Sequence, residues 1–256
     1  MPSSIKRAEE FGDKLQTIFI EVQNHGMDDV LTLGYDKGWM GTNAAWTVER
    51  PSFETGSRGI PNFVLLSSEG KVLLKGNPNS MHSAIEDAIL EDIEANSKGP
   101  SDAPKSVRKV YSEFNKGKFA KAIAAAQKLV AKGGDDSSAA EEAIGYFGTR
   151  IDADLKRASW MIENGHMLNA EESLKSMTKA LKGSEHEAAA AELLASLDSE
   201  ENKAEYDADK AYAKVHLQVN EKGIEDNLKN LNKFVKKFEG TKAAVRAGAL
   251  ISLNQG

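Results

Sequence analysis

The chain has 256 residues, of which 40% are hydrophobic and 28% are charged, enough apolar material for one large or two modest domains. It carries 33 Lys and Arg against 39 Asp and Glu, and the resulting net charge of −6 argues against a nucleic-acid-binding protein. It contains no cysteine, which excludes disulfides, thiolate metal sites and cysteine nucleophiles.

In chain order, the first predicted element is a strand over Leu15–Val22. Its residues are apolar on both alternating faces, which is typical of a central strand covered on both sides. Asn24, His25 and Gly26 interrupt this pattern. A short helix is predicted next, over residues 27–39, with Val30, Leu31 and Leu33 facing inward.

A second strand is predicted at Ala44–Val48, followed by a hairpin. The hairpin strands are Asn62–Ser67 and Lys71–Lys75, and the turn Ser68–Gly70 has its glycine where a positive φ is favoured. Ser80–Ala95 then has apolar residues at helical spacing. Together these patterns predict a mixed α/β region.

The pattern changes at residues 98–104, where Gly, Pro, Ser and Asp cluster without any periodic apolar residue. We interpret this stretch as a linker between a domain at 1–97 and a domain at 105–256. No proline follows Lys105, and the apolar residues beyond it recur with the helical period, so the second domain is predicted to be all helical.

The helical region also contains an internal repeat. Each of three units begins at a turn glycine, namely Gly117, Gly165 or Gly223, and continues as an amphipathic helix, a second glycine and an alanine-rich helix. The units resemble tetratricopeptide hairpins, although none has the full consensus and their spacing varies. We therefore expect a degenerate helical repeat of stacked antiparallel helix pairs.

The first domain resembles a known family. Gly59–Leu66, followed by Glu69–Leu73, looks like the segment of thioredoxin-like proteins in which a cis-proline precedes an antiparallel hairpin. Glu10–Val22 is similar to the end of that family's long helix and its central strand. The likeness covers about the first 95 residues and is closest to the extracytoplasmic thiol–disulfide oxidoreductase branch. It implies an incomplete thioredoxin-like α/β domain fused to the all-α repeat, and an extracytoplasmic location, although no secretion signal follows Met1.

The chain departs from this family at the redox motif. The family's Cys-x-x-Cys pair precedes a helix proline that Pro2 matches, and no cysteine is present here. One hypothesis is therefore a fragment of a thiol–disulfide oxidoreductase whose redox pair is encoded upstream of Met1. The alternative is a non-catalytic protein-interaction scaffold that uses the proline groove and the helical surface. In either case the chain itself is expected to have no disulfide reductase activity, because a thiolate must attack the disulfide.

The candidate site residues are Gly59, Ile60 and Pro61. The resemblance implies a cis Ile60–Pro61 bond that presents the backbone of Ile60 to an extended peptide. The alternative is an ordinary turn proline at the start of a strand. The expected partners are thus protein or peptide clients, with no nucleic acid and no transmembrane segment, since the apolar runs are too short to span a bilayer.

No other pattern indicates a site. The five histidines are scattered without metal-ligand spacing, and neither a catalytic triad nor a phosphate-binding loop is present, so no metal or cofactor is predicted. Basic residues cluster between Lys105 and Lys132, where they could face an acidic partner. A solvated lysine face is the stronger expectation, because no aromatic or arginine pattern accompanies them.

Overall fold

The computed structural model describes residues 2–40, 44–51, 54 and 59–254. The chain is mostly helical. The described helices and strands, apart from three short 3-10 turns, are α1 Pro2–Phe11, β1 Thr17–Ile20, α2 Met27–Asp36, β2 Ala44–Thr47, β3 Phe63–Leu66, β4 Val72–Gly76, α3 His82–Ser97, α4 Lys105–Asn115, α5 Phe119–Lys132, α6 Ser137–Glu163, α7 Met167–Ala180, α8 Glu187–Ser196, α9 Glu200–Lys222, α10 Leu228–Lys237 and α11 Lys242–Leu253.

The chain forms two compact units. The first comprises Met1–Glu49 with Gly148–Gly256, and the second comprises Arg50–Phe147. The linker predicted at residues 98–104 lies inside the second unit, and the predicted domain boundaries stay a prediction.

In the first unit β1 and β2 form a parallel pair, in which Thr17 lies opposite Ala44. Phe19 lies opposite Trp46, and their ring centroids are 4.5 Å apart, so the pair is held by a cross-strand aromatic contact. The predicted strand is present, but the prediction that both its faces are covered is wrong. Ile18 is 57% exposed, so the face of β1 that carries it is not covered.

The predicted helix that follows β1 is confirmed as α2, with one correction to its buried face. Val30 is buried as predicted, whereas Leu33 is half exposed and Tyr35 takes the inward position. The aromatic ring of Tyr35 packs into the helical core of the first unit.

The helices of the first unit bury two apolar clusters. One is centred on Leu231, Val219 and Ala247, and the other on Leu174 and Met167. Buried alanines let the helix backbones approach closely, so the leucines and phenylalanines of neighbouring helices fill the remaining space.

The prediction of helices without strands after Pro104 is confirmed for residues 105–254.

In the second unit the predicted hairpin is confirmed. β3 and β4 are antiparallel, and Phe63 lies opposite Gly76. Gly70 closes the turn with φ of 80°, a left-handed conformation that favours glycine. The helix predicted after the hairpin is α3, whose buried residues are Ile85 and Ile89.

The helices of the second unit pack through aromatic rings. Phe114 of α4 stacks on Phe147 of α6, with ring centroids 4.1 Å apart, and Tyr111 meets the same ring edge-on at 5.1 Å. Gly99 also lies against Tyr111, and a Cβ atom at this position would come within 2.4 Å of the ring.

None of the described helices is both long enough and apolar enough to cross a membrane.

Candidate functional site

The three predicted site residues precede β3 on the surface of the second unit. Gly59, Ile60 and Pro61 are all exposed, and Ile60 exposes 61% of its surface. The peptide bond between Ile60 and Pro61 is cis, so that prediction is confirmed. Their role in binding a peptide stays a prediction.

The backbone of β3 has one edge that faces away from β4. Ser67 donates its N–H to the carbonyl of Lys71 at 2.8 Å, so Ser67 faces the partner strand. The register of the hairpin shifts between Leu65 and Leu66, but the extra residue, Leu73, lies on β4, so the backbone of β3 keeps its alternation. Because backbone groups alternate in direction along a strand, those of Leu66 and Val64 face the opposite way from those of Ser67. Among the described residues β3 pairs with β4 alone, so no strand in this part of the chain covers the other edge of β3.

Apolar side chains accompany this edge. Leu66 lies opposite Val72 in the hairpin, and the two side chains expose 38% and 52% of their surface. Together with Ile60, these apolar side chains are exposed to water in the isolated chain. An added strand can cover such side chains while it pairs with the backbone.

A shallow groove of about 570 Å³ lies between β4 and α3 in the same unit. Leucine and alanine side chains line it together with three carboxylates. Its lining residues are Leu73, Leu74, Ala84, Asp87, Ala88, Glu91, Asp92 and Ala95. Such a surface favours a partner segment that carries apolar groups together with lysine or arginine.

The structure also reveals a buried polar cluster in the first unit that the sequence interpretation missed. Asp209 of α9 receives a hydrogen bond from Arg246 of α11, with Nη2 at 2.6 Å from Oδ1. Its second oxygen, Oδ2, accepts the backbone N–H of Leu168 at 3.0 Å and so caps the first turn of α7. Asp209 is 7% exposed.

Arg246 also binds the loop between α6 and α7. Its Nη1 donates to the carbonyl of Asn164 at 3.1 Å and lies 3.3 Å from Nδ1 of His166. Its Nη2 donates to the carbonyl of Gly165 at 3.1 Å. The guanidinium lies over the ring of Tyr212, 5.0 Å from its centre. This one side chain therefore links the α6–α7 loop, α9 and α11.

A second histidine lies close to this cluster. Nε2 of His216 is 3.1 Å from the Tyr35 hydroxyl, which ties α2 to α9. Burial, and then the charge of Arg246, lower the pKa of His216. Burial also raises the pKa of the neighbouring Tyr212 hydroxyl. The cluster can therefore hold neutral rings around a permanent cation.

Asp209 and Arg246 did carry a signal in the sequence. Asp209 precedes Tyr212 by three residues on an apolar helical stripe, and Arg246 lies three residues after Ala243 on another. A charged residue on a buried stripe needs a partner of opposite charge. That rule identifies each residue as unusual, but the pairing itself requires the packing of α9 against α11.

The predicted basic face is partly neutralised where it is most dense. The ammonium groups of Lys121, Lys118 and Lys116 lie 2.8, 3.4 and 3.9 Å from the carboxylate of Glu113. The hydrogen bond from Lys121 is the largest cause that lowers the pKa of Glu113, and Lys118 lowers it further. The lysines are more than half exposed, which agrees with a solvated face.

Among the residues that the structure describes, no three His, Asp or Glu side chains converge to hold a metal ion. No protein-family model, no curated protein and no solved structure matches the chain.

Proposed function

We propose that this chain is a non-catalytic protein-interaction module that binds an extended segment of a partner protein along β3. In this mode the partner adds a strand to the hairpin, starting beside Gly59, Ile60 and Pro61. Backbone hydrogen bonds supply much of the affinity, and pockets for alternate side chains supply specificity. The helical surface of residues 105–254 is proposed to carry further protein contacts.

The observation that carries the proposal is the uncovered edge of β3. Alternation from Ser67 directs the backbone groups of Val64 and Leu66 away from β4, and no other described strand pairs with β3. Exposed strand edges promote uncontrolled association unless a protein uses or protects them. The exposed side chains of Leu66 and Val72 beside this edge are apolar, whereas a protected edge typically carries charged residues or proline. The edge is therefore better suited to binding a partner strand than to preventing one from binding.

A thioredoxin-like origin for residues 1–97 is part of the proposal. It is supported by the order of α1, β1, α2, β3, β4 and α3, which is the order of the later elements of that fold, with β2 as an additional strand between α2 and β3. The family's extended-peptide contact falls on the segment that precedes β3. The chain contains no cysteine, so it cannot form the mixed disulfide that redox members of that family use.

The oxidoreductase-fragment hypothesis would give the same hairpin a substrate-binding role. It shares the peptide contact and differs only in a redox pair that this chain lacks. The interaction module is therefore the function that the described residues themselves support.

A proline substitution tests the proposal. Val64→Pro removes the N–H that faces away from β4 while it spares the ladder bonds of the hairpin. Peptides are first selected from a random extended-peptide library on the full chain, and their dissociation constants are then measured by fluorescence polarisation. Loss of one backbone hydrogen bond, worth about 1 kcal/mol, is expected to weaken binding roughly fivefold in Val64→Pro.

The matched control is Val64→Thr, which keeps the N–H and a β-branched side chain. It is expected to bind within about twofold of the native chain, because the backbone contact is intact. Circular dichroism checks that both variants keep the native fold. The proposal fails if no peptide binds the native chain, or if Val64→Pro and Val64→Thr bind the selected peptides equally well.

A further inference from the structure

His166 has two competing neighbours in the first unit. Its Nδ1 atom is 3.3 Å from Nη1 of Arg246, and its ring stacks on Trp160 with ring centroids 5.7 Å apart. Arginine can only donate hydrogen bonds, so Nδ1 must accept and the proton of the neutral ring lies on Nε2. The contact with Arg246 therefore requires a neutral imidazole.

The contact with Trp160 has the opposite preference. An aromatic face attracts a cation, so a protonated imidazole is held on the indole more strongly than a neutral one. Trp160 is 55% exposed, so the ring that stacks on it is close to solvent. Protonation therefore removes the bond to Arg246 and strengthens the contact with Trp160.

Charged side chains of α11 and α9 lie close to His166 and the adjoining Gly165. α11 contributes Arg246 and Lys242, and α9 contributes Asp209 and Glu205. Lys242 donates its backbone N–H to Glu205 at 3.1 Å, and its ammonium group donates to the carbonyl of Glu163 in α6. The two acids thus have cationic or N–H partners already, and Arg246 is the charged group that directly contacts the ring.

We propose that His166 and Arg246 form a proton-operated latch between the α6–α7 loop and α11. At neutral pH the latch is closed, and Arg246 holds Asn164, Gly165 and His166 together. When His166 takes up a proton, two cations face each other, the bond breaks, and the N-terminal turn of α7 loosens. This inference concerns regulation of the helical region and does not depend on the proposed peptide site.

The direction of the pH effect follows from the folded environment. Burial is the largest cause that lowers the pKa of His166, the charge of Arg246 is the second, and Asp209 opposes both. The folded chain therefore binds fewer protons than the unfolded chain below the ordinary histidine value of 6.5. The stabilisation is complete above that value and is lost as the pH falls from it toward the lowered pKa.

Amide hydrogen exchange at the start of α7 tests the latch. Ala170 donates its N–H to the carbonyl of His166 at 3.0 Å, and Leu168 donates to Asp209, so both amides report opening of this turn. Protection factors, corrected for the intrinsic exchange rate, are compared at about pH 7.5 and about pH 5.5, which bracket histidine titration. In the native chain protection is expected to fall, by up to roughly tenfold for each unit by which the pKa is lowered.

The informative variant is His166→Asn, whose amide oxygen can replace Nδ1 as the acceptor for Arg246 and does not titrate. Its protection at Leu168 and Ala170 is expected to stay constant between the two pH values. His82→Asn is the matched control, since His82 is exposed at the start of α3, and it is expected to keep the native pH dependence. The latch is refuted if the protection of these amides in the native chain does not change with pH. It is also refuted if His166→Asn loses as much protection between the two pH values as the native chain does.

Tryptophan emission gives a second readout that does not require His166→Asn to fold. A protonated imidazole in contact with indole quenches its fluorescence, so the difference between the native chain and Trp160→Phe reports the state of His166. This difference signal is expected to fall with a midpoint below 6.5, the ordinary histidine pKa. A signal that does not change with pH, or a midpoint above that value, overturns the proposal.

Discussion

Replacing Asp209 by alanine is expected to destabilise the first unit strongly, because it breaks a buried ion pair and a helix cap together. In the native chain the carboxylate accepts Nη2 of Arg246 at 2.6 Å and the N–H of Leu168 at 3.0 Å. Its side chain is 9% exposed, so water does not readily replace either contact. Asp209→Ala leaves the guanidinium with neutral partners only and the first turn of α7 without its acceptor.

The size of this effect follows from these two contacts. Removing one partner of a buried ion pair costs about 3–5 kcal/mol, and we use the lower end because Arg246 keeps three other acceptors. A loss of about 3 kcal/mol corresponds to a melting temperature lower by roughly 6–12 °C for a chain of this size. Asp209→Asn keeps an acceptor of the same shape and is expected to lose only about 1–2 kcal/mol.

Urea unfolding and thermal melts, both followed by circular dichroism, measure the change. Asp207→Ala is the matched control, because it removes the same charge from the exposed face of the same helix. A surface substitution of this kind is expected to change the unfolding free energy by no more than about 0.5 kcal/mol. Equal destabilisation by Asp209→Ala and Asp207→Ala would refute the reasoning.

Two further substitutions test the packing. Gly99→Ala is expected to lower the free energy of unfolding by more than about 2 kcal/mol, because φ is +71° and the new Cβ would lie 2.4 Å from the Tyr111 ring. Gly117→Ala is the control. Its φ is +74° but its Cβ would lie in open space, so the expected loss is about 1 kcal/mol. Similar melting temperatures for the two alanine variants would contradict this. The side-chain amide of Asn227 donates to the carbonyls of Gln218 and Gly223, near the end of α9. Asn227→Ala removes this donor and is expected to lower the free energy of unfolding in urea by about 2 kcal/mol. A change below about 0.5 kcal/mol would contradict this.

The elements that the sequence predicted well are those with a local physical cause. The hairpin follows from short apolar runs on either side of Gly70, whose positive φ closes the turn. The helices after Pro104 follow from apolar residues at helical spacing, which any amphipathic helix requires. Neither inference depends on contacts between distant parts of the chain.

The predictions that were wrong or incomplete depend on such contacts. The apolar residues on both faces of β1 predicted that both faces are buried. Whether Ile18 is covered depends on what packs against it, and 57% of it remains exposed. The cluster around Arg246 joins residues 37 positions apart on α9 and α11 with a loop 80 positions away. Periodicity places each residue on its helix and does not specify how the helices converge.

The most direct test of the central claim is amide exchange in the hairpin with and without a saturating selected peptide. Strand addition to β3 predicts that the amides of Val64 and Leu66 gain protection, while that of Leu65, which faces β4, changes little. These amides are resolved individually by NMR on the full chain. Protection that does not increase at Val64 and Leu66 while the peptide is bound elsewhere would contradict the claim.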